Sequence, residues 1–172
     1  VKPGIVDLSE VSFVSEQIAE EASKYRLNPG DLLIGMTGYV GEVGLVPPTD
    51  NPPLLNQRVG KFVLEKDGTE ALGFIYCLTR GSEFKVRVEA NSHGTAQANV
   101  SAEGILSVSV ITPPKHIRDA FNRFCHPILD RILNNHGESR TLAALRDTLL
   151  PKLISGELRV KDAERFLKES VV

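Results

Sequence analysis

The sequence lacks several features that would assign it to a large class of proteins. It has no Trp, one Met and only two cysteines, Cys77 and Cys125, which lie far apart without a CxxC pair. This spacing favours buried, reduced thiols over a disulfide framework or a zinc site. No apolar run approaches the roughly 18 residues of a membrane helix, and no signal peptide opens the chain. We therefore expect a cytoplasmic protein with no membrane partner.

Strong net charge is also missing, but the charge is unevenly distributed. The chain of 172 residues has a formal charge of −2, so its overall charge indicates neither a nucleic acid nor a membrane. Residues 1–112 hold nine Lys and Arg against fourteen Asp and Glu, whereas residues 113–172 hold eleven against eight. Twelve of the fourteen glycines precede Pro113. These shifts predict a mixed α/β (α+β) domain over 1–112, followed by a helical region over 113–172.

The first part contains short apolar runs separated by turn residues. The runs predict strands at 32–36, 43–46, 59–64 and 105–111, and helices at 16–24 and 70–78. The segment 82–90 fits a further helix but stays ambiguous, because Phe84, Val86 and Val88 alternate as in a strand. Within them, glycines recur at every third position from Gly35 to Gly44. This spacing fits neither collagen nor a dinucleotide-binding loop, so it predicts a hairpin with tight turns. The alternative is a close approach of the backbone to a ligand at Thr37-Gly38-Tyr39.

The second part has a helical period. Pro113-Pro114 precedes apolar residues at steps of three and four, which predict a helix from Lys115 to about Leu153 of the coiled-coil type. Such an apolar stripe needs cover, either by antiparallel pairing with a second copy or a sister helix, or by folding back at Gly137. The predicted oligomerisation residues are Ile117, Phe121, Phe124, Ile128, Ile132, Leu142, Leu145 and Leu149.

Two polar segments of the first part carry many hydrogen-bonding side chains. They are Asn56-Gln57-Arg58 and the segment 92–99, which includes His93. Arg can read guanine, and Asn or Gln can read adenine. The alternative for the first segment is that its amides only bond the neighbouring loop backbone. The alternative for the second is that Gln97 and Asn99 only tie the loop to the helix at 70–78.

Asn51-Pro52-Pro53-Leu54 is similar to a motif with which DNA amine methyltransferases hold an extruded adenine. Here Leu54 stands where the stacking aromatic residue belongs, and no glycine-rich cofactor loop precedes the motif. The segment is therefore interpreted as a proline-rich surface loop, and no cofactor or metal is expected.

Several segments together resemble one family, the specificity subunits of type I restriction–modification systems. Their order over roughly residues 25–160 carries the resemblance. The segments are 27–34 (LNPGDLLI) with Thr37-Gly38, 55–59 (LNQRV), 94–101 (GTAQANVS), and 145–158 (LRDTLLPKLISGEL).

The resemblance implies a role and partners. Residues 1–112 would be a target recognition domain, incomplete at its N-terminus, that reads one half of a bipartite site in double-stranded DNA. Residues 113–172 would be the helical spacer and dimerisation region. Modification and restriction subunits would dock on this frame and supply the catalysis, so the chain itself is not expected to be an enzyme.

The expected DNA contacts combine the polar loops with nearby cations, because the acidic balance of the domain requires a local basic surface. The predicted base-reading residues are Thr37, Tyr39, Asn56, Gln57, Arg58, Ser92, His93, Thr95, Gln97 and Asn99, and the predicted phosphate contacts are Lys61, Lys85 and Arg87. Two other functions stay open: a fragment of a DNA adenine methyltransferase, and a helix-driven protein-interaction scaffold without DNA binding.

Overall fold

The computed structural model describes residues 3–9, 11–64, 71–94 and 97–159. The chain divides into two compact units, Val1–Leu133 and Asn134–Val172. Within the described ranges, no helix has both the length and the apolar content that crossing a membrane requires.

A four-stranded mixed sheet forms the centre of the first unit. Its strands are β1 (Gly4–Ile5), β2 (Leu32–Gly35), β3 (Val43–Leu45) and β4 (Val59–Lys61). The spatial order is β1-β3-β2-β4, with β2 antiparallel to both β3 and β4, and β1 parallel to β3. All residues of β2 and β3 are buried, as expected for the apolar runs that lie in the middle of the sheet.

The described residues also form five α-helices and one 3₁₀ turn. They are α1 (Glu16–Glu21), the 3₁₀ turn (Ser23–Tyr25), α2 (Leu72–Thr79), α3 (Ser82–Ala90), α4 (Ala102–Leu106) and α5 (Lys115–Ile154). The main core joins sheet residues such as Leu45 to Tyr76 of α2, Val88 of α3 and Leu129 of α5. The expected fold class, a mixed α/β domain followed by a long helix, is confirmed.

The predicted strand at 105–111 is wrong. Ser101 accepts a hydrogen bond from the backbone N–H of Gly104 (3.0 Å), and this N-cap starts α4. Ile105 then turns into the core, while Ile111 is almost fully exposed. The capping serine therefore outweighs the alternation of apolar residues that had favoured a strand.

Two further expectations are corrected by the helices. The possible fold-back at Gly137 is wrong, because α5 continues through this position. One glycine costs a helix only about 1 kcal/mol relative to alanine, which is too little to interrupt it. The expected burial of both cysteines holds for Cys125, but Cys77 on α2 is exposed.

The first half of α5 has two different apolar faces. The buried face contains Asn122, Cys125 and Leu129, which pack within the first unit. Gly73 allows α2 to approach this face, since a Cβ added there would lie only 2.7 Å from Cys125 Cβ. Asn122 Oδ1 also accepts the backbone N–H of Phe74 at 2.7 Å, which satisfies a donor of the first turn of α2.

Candidate nucleic-acid interface

Three loops of the first unit meet at one end of the central strands. We call them the hairpin loop (36–42, between β2 and β3), the amide loop (56–58, before β4) and the histidine loop (92–94 and 97–99, after α3), and together the loop cluster. The antiparallel register of β2 with β3 and β4 brings the first two loops to the same end of the sheet. The histidine loop reaches the same end through backbone hydrogen bonds to the hairpin loop.

Backbone hydrogen bonds join the histidine loop to the hairpin loop. The N–H of Gly38 donates to the carbonyl of Ala98 (3.1 Å), and the N–H of Val100 donates to the carbonyl of Met36 (2.9 Å). Gly38 has a φ of +79°, a conformation that favours glycine at this turn. The two loops are therefore fixed to each other by their main chains.

The amide loop is fixed to the hairpin loop in the same way. The carbonyl of Arg58 accepts the N–H of Met36 (2.8 Å) and that of Thr37 (3.2 Å). Within the loop, Asn56 Oδ1 accepts the N–H of Arg58 at 2.9 Å, which is an Asx-type turn. The open alternative that an amide here bonds the loop backbone is thus realised for Asn56, while the side chain of Arg58 stays exposed.

The histidine loop closes on itself. His93 and Asn99 exchange both backbone hydrogen bonds, at 2.8 and 2.9 Å. At the turn, Gly94 has a φ of +109°, and a Cβ there would lie 2.5 Å from the carbonyl oxygen of Gln97. A side chain at position 94 would therefore force the loop open.

Several predicted base-reading residues use their polar side-chain groups in hydrogen bonds within the protein. Thr37 Oγ1 donates to Asn99 Oδ1 at 2.8 Å, and Ser92 Oγ donates to the carbonyl of Glu89 at 2.6 Å. Asn99 therefore ties the histidine loop to the hairpin loop, not to the helix at 70–78 as the alternative expected. Thr95 lies outside the described residues.

Five other predicted residues remain exposed, and their side chains make no hydrogen bond or ion pair with the described residues. We call them the outward set: Tyr39, Gln57, Arg58, His93 and Gln97. The Tyr39 side chain is 73% exposed at the tip of the hairpin loop. The cluster thus offers an aromatic ring, two amides, a guanidinium and an imidazole on a fixed backbone.

The three predicted phosphate contacts are all paired with carboxylates. Lys61 bonds Asp31 at 2.7 Å and lies opposite Leu33, three residues beyond the amide loop along β4. Arg87 pairs with Glu83 and also donates to the carbonyl of Ser109 at 2.7 Å. These two cations therefore bond residues outside the loop cluster.

Lys85 is different, because it lies against the hairpin loop. A Cβ added at Gly41 would be 3.2 Å from Cγ of Lys85, so α3 contacts the base of that loop. Lys85 Nζ donates to the carboxylate of Glu42, and Glu89 Oε1 is 3.9 Å away. The hydrogen bond to Glu42 raises the pKa of Lys85 above its ordinary value, against a smaller opposing effect of burial.

The predicted oligomerisation residues split between the two units. In the first half of α5, five of them are exposed and form what we call the exposed stripe: Ile117, Phe121, Phe124, Ile128 and Ile132. The ring of Phe121 also meets Phe74 edge-on, with centroids 6.4 Å apart. In the second unit, Leu142 is exposed, Leu145 is half-buried and Leu149 is buried.

Sequence reasoning missed the buried face of α5 and the role of Glu42. The buried face had a signal, since Asn122, Cys125 and Leu129 also follow steps of three and four. Glu42 had none, because its pairing with Lys85 depends on how α3 packs against the hairpin loop.

Comparison with known proteins finds similarity to one family. The sequence model for the type I restriction modification DNA specificity domain matches residues 2–137. The HindI specificity subunit of Haemophilus influenzae is 32% identical over 120 residues, which are 69% of this chain and 26% of that protein. The MjaIX specificity subunit of Methanocaldococcus jannaschii is 36% identical over 90 residues, or 52% of this chain and 20% of that protein.

A third relative, the MjaVIII specificity subunit of the same archaeon, is 22% identical over 156 residues and 88% of this chain. The matches span between a fifth and about a third of the length of these relatives. The family match, in contrast, covers most of this chain, including all three loops and the first part of α5. The chain therefore belongs to the family of type I restriction modification DNA specificity domains.

Proposed function

We propose that the chain is a DNA sequence-recognition module of a type I restriction–modification complex. The loop cluster is the observation that supports this most directly, because its backbone is internally bonded while the outward set stays exposed. Amide and guanidinium groups can address base edges in the major groove. A backbone fixed before binding loses less conformational entropy when DNA arrives.

Within the cluster we assign two kinds of role. Tyr39, Gln57, Arg58, His93 and Gln97 contact the bases or the sugar–phosphate backbone. Thr37, Asn56, Ser92 and Asn99 hold the loops in place through the hydrogen bonds described above, and Thr95 remains a proposed contact. Of the proposed phosphate contacts, Lys85 is favoured by its place beside the hairpin loop. Lys61 and Arg87 would have to leave their carboxylates first.

The exposed stripe supports a second part of the proposal. A row of exposed apolar side chains along a helix favours burial against another helix. We propose antiparallel pairing with a second copy or with a sister helix, which would place two recognition domains on the halves of a bipartite target. Modification and restriction subunits would then supply the catalysis.

Selection of DNA by the reconstituted complex tests the proposal. The protein is assembled with its modification subunits, and duplexes bound from a random-sequence pool are sequenced. The variant carries His93→Ala, Thr95→Ala and Gln97→Ala together, and Gln17→Ala on α1 is the matched control. We expect relaxed preference at some base pairs, at a cost of roughly 1–3 kcal/mol for each lost base contact. A complex that assembles with unchanged affinity and preference would contradict the assignment.

The exposed stripe by itself also favours a second candidate function, a helix-driven scaffold without DNA binding. The two functions differ in their response to salt, because phosphate contacts release counterions and weaken steeply as salt rises. A complex that assembles but binds no duplex at low salt would favour the scaffold.

A further inference from the structure

Glu42 lies at the base of the hairpin loop in a fixed position. Its carbonyl accepts the N–H of Gly35 (2.8 Å), and its N–H donates to the carbonyl of Tyr39 (3.2 Å). These bonds close the loop and hold the Glu42 side chain beside α3. A carboxylate is therefore fixed at the edge of the surface that we propose meets DNA.

The partner of this carboxylate is the one predicted phosphate contact that lies against the hairpin loop. Lys85 Nζ donates to Glu42 Oε1, while the stem of Lys85 covers Gly41. The Glu42 side chain is 18% exposed and that of Lys85 is 38% exposed. Lys85 is thus the more exposed partner of the ion pair, and its charge is compensated by the more buried carboxylate of Glu42.

A paired lysine attracts DNA phosphate less than an unpaired one, because the phosphate must compete with the resident carboxylate. Sequence-independent affinity comes mostly from such phosphate contacts, whereas specificity depends on how far target binding exceeds it. A repulsive group near the contact surface can therefore increase specificity. The acid excess of residues 1–112 agrees with a surface that restrains sequence-independent binding.

We propose that Glu42 is a resident competitor of DNA phosphate for Lys85, which holds down binding to non-target DNA until base contacts at the target favour the exchange. This inference rests on the proposed DNA-recognition function. It assigns Glu42 a role in affinity and specificity without contact to the bases.

The test is Glu42→Gln in the full chain assembled with its modification subunits. Glutamine keeps a hydrogen-bond acceptor for Lys85 and removes the charge. The probe is a short mixed-sequence duplex, and affinity is measured as a function of potassium chloride concentration. We expect about two- to fivefold tighter binding at low salt, the range of an exposed ion pair. The salt slope should steepen by about 0.9, the value of one added phosphate contact.

Asp119→Asn is the matched control, because Asp119 also loses one negative charge and its ion pair with Lys115 on α5. We expect no change in affinity or slope for it. The double variant Glu42→Gln with Lys85→Gln should lose the gain seen with Glu42→Gln alone. Melting temperatures of all variants confirm that they fold.

Three results would overturn the inference while leaving DNA recognition intact: unchanged or weaker binding by a folded Glu42→Gln variant, an equal gain from Asp119→Asn, or a gain that survives in the double variant. Absence of duplex binding by the unaltered complex at low salt would instead contradict the proposed function, and the inference with it.

Discussion

The side chains of the loop cluster and those of the first half of α5 have different structural roles. In the loops, backbone groups have no regular ladder, so side chains such as Thr37, Asn56 and Asn99 are used to hold the chain in shape. In α5, most backbone groups bond within the helix, although Pro127 lacks an N–H, so the side chains can form two faces, one buried and one exposed. A polar residue in the loops can therefore be structural or functional, whereas on the helix burial alone separates the two roles.

The largest expected effect compares the two faces of α5. Leu129 is 4% exposed and its neighbour Ile128 is 46% exposed. Leu129→Ala should lower the free energy of unfolding by about 2–5 kcal/mol, because it leaves a cavity in the core. Ile128→Ala should cost less than about 1 kcal/mol in the monomer. Urea denaturation at a concentration that keeps the chain monomeric measures both, and equal losses would abolish the distinction between the faces.

A charge on the exposed stripe should affect association more than folding. Phe124→Glu is expected to weaken self-association or sister-helix pairing by at least about tenfold, which corresponds to ~1.4 kcal/mol. Arg123→Glu, on the adjacent exposed position, is the control for charge, because it changes the net charge by two units against one for Phe124→Glu. Sedimentation equilibrium provides the measurement. If Phe124→Glu and Arg123→Glu associate equally well, the stripe is not the pairing surface.

Glycine replacements test how firmly the histidine loop is held. Gly94→Ala combines a positive φ with a close approach to the carbonyl of Gln97, so a loss of about 1–3 kcal/mol in stability is expected. Gly137→Ala meets no atom within 4 Å and should stabilise α5 by up to about 1 kcal/mol. Thermal unfolding compares the two, and a Gly94→Ala chain as stable as the parent would show that the loop adapts.

A smaller effect concerns the thiol at the contact between α2 and the buried face of α5. Although Cys77 is exposed overall, desolvation of its thiol raises its pKa above the ordinary value, and the neighbouring Cys125 thiol raises it further. Alkylation of Cys77 should therefore need a higher pH in the folded chain than in urea. Cys125→Ala should lower the midpoint pH of Cys77 alkylation in the folded chain part of the way toward its value in urea. An identical pH profile in the folded and unfolded chains would show that the two helices do not meet at Cys77.

The sequence predicted the helix better than the loops. The period of three and four identified α5 and the residues of its exposed stripe, since periodicity is a property of the helix itself. The periodicity alone does not tell which of the two neighbouring stripes of α5 is buried. That depends on where α2 packs, and Gly73 allows α2 to approach the stripe that contains Cys125. The structure brings the predicted loop segments together, but the division between the outward set and residues such as Asn99 depends on hydrogen bonds between distant parts of the chain.

The strand expected at 105–111 failed for a related reason. Its alternation of apolar residues is local, but a strand also needs a partner, and the N-cap at Ser101 had already started a helix. By contrast, the segment 82–90, which the sequence left ambiguous between helix and strand, forms the helix Ser82–Ala90. Local signals therefore identify a long helical period such as that of α5, but they do not decide the type of a short element.

The central claim is that the loop cluster contacts DNA. Its most direct test is photo-crosslinking from position 39, with Tyr39 replaced by p-benzoylphenylalanine in the assembled complex bound to its selected target. Phe13, an exposed aromatic residue before α1, takes the same replacement as the control. We predict a crosslink to DNA from position 39 and none from position 13. No crosslink from position 39, or equal crosslinking from both positions, would contradict the account.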